Sequence, residues 1–207
     1  MQFDWTRVSA PNDVSALDGV SWPVETDRLT LRPARTADAV ATWRYRQLDS
    51  VNRWITAAPP TLDAYRERFE APDALAKTLV VALNGVVIGD LMLAVEDAWA
   101  QAEVVDAARG TQAELGWAFD PEQAGLGYAT EAVSELLRIG FEDLGLRRVV
   151  GQCFAENAPS RRLMERLGMR LESHLVKDSL HRSGTWMDTA GYALLAEEWV
   201  PRHPGSG

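Results

Sequence analysis

Two glycines, two positions apart and immediately ahead of the strongest helical pattern in the chain, constrain the fold more than any other feature. The run Phe119-Asp120-Pro121-Glu122-Gln123-Ala124-Gly125-Leu126-Gly127-Tyr128-Ala129-Thr130-Glu131-Ala132 follows the alternating segment Glu114-Leu115-Gly116-Trp117-Ala118-Phe119. After it, Ala129, Ala132, Val133, Leu136, Leu137, Gly140 and Leu144 recur at i, i+3, i+4, i+7 spacing, with Glu131, Glu135, Arg138 and Glu142 on the other face. The stretch therefore predicts a strand, a glycine loop and a helix N-terminus. Glycines let the backbone approach a ligand, the first helical amides have no intrahelical partner, and the helix dipole adds positive charge. Such a loop suits a phosphate or pyrophosphate.

The 207 residues, 46% hydrophobic and 25% charged, fit a domain over residues 26–199 with an N-terminal arm, 1–25, and a short tail, 200–207. No apolar run reaches about 18 residues and no charged-then-apolar leader is present, so a soluble, cytoplasmic protein without a membrane partner is expected. The single Cys153 excludes an intramolecular disulfide and fits a reducing compartment. Histidines at 174, 181 and 203, with no second thiol, give no metal-ligand spacing. A net charge of −9 argues against nucleic acid, whose phosphates need clustered Lys and Arg, and suits a cationic or amine-bearing substrate.

Along the chain, residues 1–25 lack periodicity, and Thr30 and Arg32 alternate with Leu29 and Leu31 as a short strand. Helices are expected from Thr36 to about Leu48 and from Thr61 to about Glu70. Residues 78–83 and 86–93 flank Asn84-Gly85, which supplies the two positive φ angles of a type I′ hairpin turn. Residues 95–112 carry no sustained pattern and read as a solvated acidic connection, or as a substrate-selecting or homodimer-contact loop. A strand at 149–154, a helix from Ala158 to the stop at Leu167-Gly168, and strands at about 169–178 and 185–195 complete a mixed α/β arrangement around one sheet.

Several phosphate readings compete for the glycine loop. A P-loop needs Lys then Ser or Thr after its last glycine, and Tyr128-Ala129 stands there instead. A dinucleotide fingerprint would have Gly or Ala where Thr130 stands, and an early βαβ placement that this chain lacks. The further readings are a coenzyme A pyrophosphate site and a plain turn, and a family resemblance bears on the former. Here the chain resembles the GNAT N-acetyltransferase superfamily, in the branch similar to bacterial ribosomal-protein N-terminal acetyltransferases. The resemblance rests on Gly125-Leu126-Gly127-Tyr128-Ala129-Thr130-Glu131-Ala132, on Asn157-Ala158-Pro159-Ser160 with Glu165-Arg166-Leu167-Gly168-Met169, and on Gly184-Thr185-Trp186-Met187-Asp188. It runs from about Thr26 to Trp199. Against the superfamily's Q/R-x-x-G-x-G/A loop, Gly127 and Ala129 take the last two places and Ala124 the first.

The resemblance implies a GNAT-type mixed, mostly antiparallel central sheet flanked by helices. It implies transfer of an acetyl group from acetyl-CoA to a primary amine, on a protein N-terminus or a small molecule, by direct attack on the thioester. The competing reading is a catalytically silent CoA-binding regulatory or interaction module on the same fold. The strand residues Trp117, Ala118 and Phe119 and the loop residues Ala124, Gly125, Leu126, Gly127, Tyr128, Ala129 and Thr130 are implied to hold CoA, with Asn157 on the pantetheine arm. Many family members place a tyrosine seven residues after that asparagine to protonate the thiolate, and Met164 stands there. Ser160 is the alternative acid, although it also suits a helix cap, and Glu114 is the candidate base. Trp43, Trp54 and Trp186, with Tyr45, either border the acceptor, as the resemblance implies, or fill the core, and Arg147, Arg148, Arg161 and Arg162 either offset the acidic field near the CoA phosphates or are solvated surface residues. Asp188 either orients the amine or makes a structural hydrogen bond.

Overall fold

The structure is a computed structural model that describes residues 16–200. Eight strands form one sheet in the order β1-β2-β3-β4-β5-β6-β8-β7. They are β1 (Val24–Glu25), β2 (Thr30–Pro33), β3 (Thr78–Leu83), β4 (Val86–Glu96), β5 (Gln112–Phe119), β6 (Arg148–Phe154), β7 (Arg170–Leu180) and β8 (Trp186–Leu195). Every neighbouring pair is antiparallel except β5 and β6, which run parallel. The mixed, mostly antiparallel architecture expected from the sequence is thus the one observed.

Local chemistry explains the joints. Asn84 and Gly85 have φ of 50° and 81°, and their turn joins β3 to β4. Before β3 lie α1 (Ala39–Arg46), α2 (Asp49–Asn52), α3 (Leu62–Phe69) and α4 (Pro72–Leu75). The helix expected from Thr36 to about Leu48 is a 3-10 turn, Thr36–Asp38, continued by α1, and Leu48, in an extended conformation, separates α1 from α2. Thr61 caps α3 by accepting the Ala64 N–H. The expected pattern-free stretch 95–112 is shorter: β4 continues to Glu96, a 3-10 turn covers Ala102–Ala108, and Gln112 begins β5.

After the glycine loop comes α5 (Tyr128–Arg138), which buries Ala132, Val133, Leu136 and Leu137. The apolar spacing to Leu144 predicts one continuous helix, but Ile139–Asp143 is a π turn, closed by Leu144 N–H on the Ile139 carbonyl. Then α6 (Ala158–Arg166) stops at Gly168, φ 86°, with Gly168 N–H on Glu165 O and Met169 N–H on Met164 O. That pair of bonds is a Schellman ending. The main core lies beneath α5 and α6 and includes Leu91, Leu93, Leu115, Val149, Met164 and Tyr192. Leu17 and Val20 from the arm pack into it. Residues 1–15, the greater part of the arm, lie outside the described residues, as do 201–207 of the tail. A second cluster around Tyr45, Tyr65, Phe69 and Val80 seats α1 and α3. Among the described residues no helix is long and apolar enough to cross a membrane.

Candidate functional site

The site is set by where two parallel strands stop touching. β5 stays paired with β4 from Gln112↔Glu96 to Phe119↔Gly89. Its pairing with β6 is confined to Gln112↔Arg148, Ala113↔Val149 and Glu114↔Val150. Beyond Glu114 the strands part, and the β5 edge from Leu115 to Phe119 has no strand partner on that side. These residues line a cleft of about 950 Å³ that also takes in the glycine loop and the start of α6. Free backbone donors and acceptors on such an edge are satisfied by an extended, amide-bearing chain lying along it. The pantetheine arm of CoA is such a chain.

At one end of that edge the backbone turns into the anion cradle. Gly125 and Gly127 have φ of 79° and 84°, the left-handed region, and Gly127 is the N-cap of α5. The N-terminal amides of an 11-residue helix follow directly, as a pyrophosphate requires. Ala124, Gly125, Gly127, Tyr128, Ala129 and Thr130 line the cleft with Trp117, Ala118 and Phe119. Leu126 does not; its side chain is exposed and its carbonyl accepts from Arg28 Nη1 at 3.0 Å. Asp120, buried, closes the base of the loop by accepting the Glu122 N–H and pairing with Arg44.

Arg28 is a residue that sequence reasoning missed. Its guanidinium lies 4.5 Å from the centroid of the Tyr128 ring, and its Nε donates to Glu131 at 2.7 Å. It therefore clamps the loop from outside. The charge on Glu131, one helical turn into an otherwise apolar α5 start, is the signal that an outside cation must meet it. Of the four arginines expected near the phosphates, only Arg162 lines the cleft. Arg148 pairs with Glu172, and Arg161 donates to Tyr192 Oη and the Ala155 carbonyl. Arg166 takes their place, one turn beyond Arg162 on the same helix face, donating to Thr130 Oγ1 at 3.0 Å. The i,i+4 spacing was the available signal.

The start of α6 corrects one expectation. Asn157, not Ser160, is the cap: its Oδ1 accepts the Ser160 N–H at 3.3 Å. Pro159 needs no donor in the first turn, which places Ser160 at the third helical position. The Ser160 hydroxyl consequently makes no hydrogen bond with the described residues, and both residues line the cleft. Met164 is fully buried, its Sδ 2.9 Å from where a Cβ on Gly151 would stand, so that position fills the core. Cys153 also lines the cleft, but burial pushes its thiol up to about 11, so it is protonated at neutral pH.

Glu114 sits where β5 and β6 part, in the cleft wall. Burial pushes its carboxyl above the ordinary carboxylate range, the Glu96 carboxylate adds to this, and Lys77 opposes it. Of the expected acceptor aromatics, Trp54 lines the cleft. Trp43 stacks against Tyr65 at 5.2 Å between centroids, and Tyr45 is buried with its hydroxyl on Asp90. Trp186 is 55% exposed and outside the cleft. Asp188 accepts from Lys177 N–H and meets His174 Nε2 at 2.7 Å, the structural hydrogen bonds of the β7 to β8 hairpin. Among the described residues no cluster of His, Cys, Asp and Glu could hold a metal ion.

Comparison with known proteins agrees with this geometry. The model of the acetyltransferase (GNAT) domain matches residues 28–170. The uncharacterized N-acetyltransferase YnaD of Bacillus subtilis is 41% identical over 86 residues, 42% of this chain and 50% of its own. The chain thus spans about half the length of that relative. A solved GNAT-family acetyltransferase from Bacillus anthracis is 30% identical, with a TM-score of 0.72 over 85% of this chain and 99% of that one. The ribosomal-protein-S5-alanine acetyltransferase of Vibrio fischeri, 19% identical, shares the fold with a TM-score of 0.69 over 87% of this chain and 100% of its own. Strands that part beside a glycine cradle, and a family match over most of the sequence, lead to one conclusion: the chain belongs to the GNAT acetyltransferase family, whose co-substrate is acetyl-CoA.

Proposed function

We propose that the chain transfers the acetyl group of acetyl-CoA to a primary amine by direct attack. The observation that carries this is the unpartnered β5 edge, running from Glu114 to the Gly125 and Gly127 cradle. When bound, acetyl-CoA supplies the activated acetyl thioester. The protein supplies position and proton transfer. The β5 edge from Leu115 to Phe119 aligns the pantetheine arm, Asn157 steadies it, and the α5 amides with Arg162 and Arg166 receive the phosphates.

Glu114 accepts the proton of the incoming amine, directly or through a water. A carboxyl raised above its usual range is better matched to that task than an exposed glutamate. The new bond joins the amine nitrogen to the acetyl carbon, the carbon to sulfur bond breaks, and the Ser160 hydroxyl passes a proton to the departing thiolate while taking one from water, so that the serine ends neutral. Direct transfer needs no acyl-cysteine, in keeping with the raised Cys153 thiol.

The test is free thiol released from acetyl-CoA, over the no-acceptor background, across N-terminal peptides, amino acids, polyamines and aminoglycosides. Turnover of at least one amine, with mass spectrometry placing the acetyl group on its nitrogen, is the expected result. Tight CoA binding with no turnover on any of them would favour the silent CoA-binding module instead.

A further inference from the structure

The cleft extends past Glu114 to a region walled by α1, α2, α3 and the start of β3, and its charges are unequal. Arg46 and Asp90 both reach it but neutralise one another as an ion pair. That leaves Arg68, on the last turn of α3, and Lys77, just before β3. Neither forms an ion pair among the described residues. Trp54, Tyr65 and Phe69 line the same cleft. The acidic group facing Lys77 is Glu114, whose pKa burial raises and the Lys77 charge lowers.

Two cations outside any salt bridge among the described residues, in a cleft that aromatic side chains also line, are opposite in sign to what a polycationic substrate needs. The geometry points to an acceptor that carries a carboxylate a few bonds from its amine, gripped by Arg68 and Lys77 while the amine faces Glu114. A charge-assisted bond to a guanidinium is stronger than a neutral one and fixes orientation, so the carboxylate both binds and aims the amine. Free amino acids and peptides with an acidic residue beside the N-terminus share this chemistry. Polyamines and aminoglycosides lack it. The inference rests on the transferase reading for the role of the amine, but the charge selectivity is measurable without turnover.

Two measurements on the full chain test it. Matched acceptors are compared: an amino acid against its carboxamide, peptides Ala-Glu-Glu, Ala-Gln-Gln and Ala-Lys-Lys, and spermidine. Each is assayed by thiol release and by calorimetric binding to the CoA-saturated protein. The carboxylate member of each pair is expected to be favoured roughly tenfold or more. Arg68→Gln with Lys77→Gln is expected to bring the pairs to parity with CoA affinity unchanged, and Arg68→Lys to restore part of the preference. Arg68 is exposed, and circular dichroism verifies that each variant folds. Whether amino acids or acidic peptides win identifies the source of the amine. Parity in the native protein, absence of acceptor binding, or a preference that survives in the double variant overturns the proposal. A calorimetric preference with no turnover anywhere instead overturns the transferase reading and leaves the carboxylate site standing.

Discussion

Arg28 and Glu131 stand 103 residues apart in the chain, yet Glu131 receives both the Arg28 backbone N–H at 2.9 Å and its side-chain Nε at 2.7 Å. Thr26 donates to the same carboxylate at 2.6 Å. The turn between β1 and β2 is thereby fastened to the first turn of α5, and Arg28 goes on to hold the Leu126 carbonyl and cover Tyr128. The shape of the cradle depends on a residue that never lines it.

Arg28→Ala is therefore expected to weaken acetyl-CoA binding about tenfold, the scale of one lost charge-assisted bond. Burial pushes the Glu131 carboxyl up, but the Thr26 and Arg28 hydrogen bonds outweigh it, and the net pKa falls below the ordinary value of 4.5. A folded pKa below the unfolded one stabilises above the unfolded value and is lost as pH falls through the folded one. Calorimetry should show CoA affinity of the native protein declining below about pH 4.5, and the decline should vanish in Glu131→Gln. An unchanged pH dependence in that variant would remove the clamp from CoA binding.

Gly127 adds a second constraint to the same loop. Its φ is 84°, and a Cβ there would stand 3.3 Å from Arg28 Nη2. Gly127→Ala should cost about 1–2 kcal/mol of backbone strain, read as a lowered unfolding midpoint, and should also displace Arg28. Gly127→Glu adds a carboxylate to a phosphate site. Undiminished acetyl-CoA affinity in a folded Gly127→Glu protein would falsify the cradle.

The Glu114 carboxyl is raised, so its ionised form is lost at a higher pH than for an ordinary glutamate. The acid limb of kcat/KM should accordingly lie higher than an exposed glutamate would set it. Lys77→Gln removes the charge that opposes the rise and should move that limb further up; Glu96→Gln removes a neighbouring carboxylate and should move it down. Glu114→Gln should lower kcat by about 10²–10⁴ with acetyl-CoA affinity retained. Equal activity would make Glu114 a wall residue only.

Ser160→Ala tests the acid separately from the cap. Its hydroxyl makes no hydrogen bond with the described residues, so the substitution should lower kcat while leaving the melting temperature and CoA affinity in place. Asn157→Ala should do the reverse in part, costing about 0.5–2 kcal/mol of stability through the lost cap and weakening CoA. Loss of stability in Ser160→Ala, with kcat intact, would return that residue to a structural role.

Much of the fold was legible because its signals are local. The Asn84-Gly85 turn, the Thr61 cap and the Gly168 stop each act within a few residues, and each lies where its chemistry predicts. The glycine loop was legible for the same reason. What the sequence hid depends on register between distant segments. The parting of β5 from β6 at Glu114 is a fact about two strands whose pairing ends after three residues, and no pattern within either strand encodes it. Trp43 and Trp186 illustrate the limit for side chains. Both are large aromatics on the expected elements, yet one packs on Tyr65 and the other is exposed, because burial is set by neighbours rather than by residue type. Pro159 could have located the cap at Asn157, since proline in a first turn moves the helix start upstream of Ser160.

The charged network under the acceptor end gives the largest predicted effect on stability. Asp90, buried in β4, accepts from Tyr45 Oη at 2.7 Å and from Arg46 Nε at 2.9 Å, and Tyr65 Oη donates to Thr42 beside them. These bonds tie α1 and α3 to the sheet where β4 pairs with β5 at Asp90↔Ala118. Asp90→Asn keeps the size but leaves Arg46 without its carboxylate, and breaking a buried ion pair from one side costs about 3–5 kcal/mol. Tyr45→Phe removes one neutral donor to a charged acceptor, about 1.5–3 kcal/mol. Denaturant unfolding should rank the two in that order. Because α1 and α3 wall the acceptor end while the cradle lies beyond Phe119, Asp90→Asn should also raise the acceptor KM more than it weakens acetyl-CoA. Equal loss at both substrates would mean that the network supports the whole cleft rather than its acceptor end.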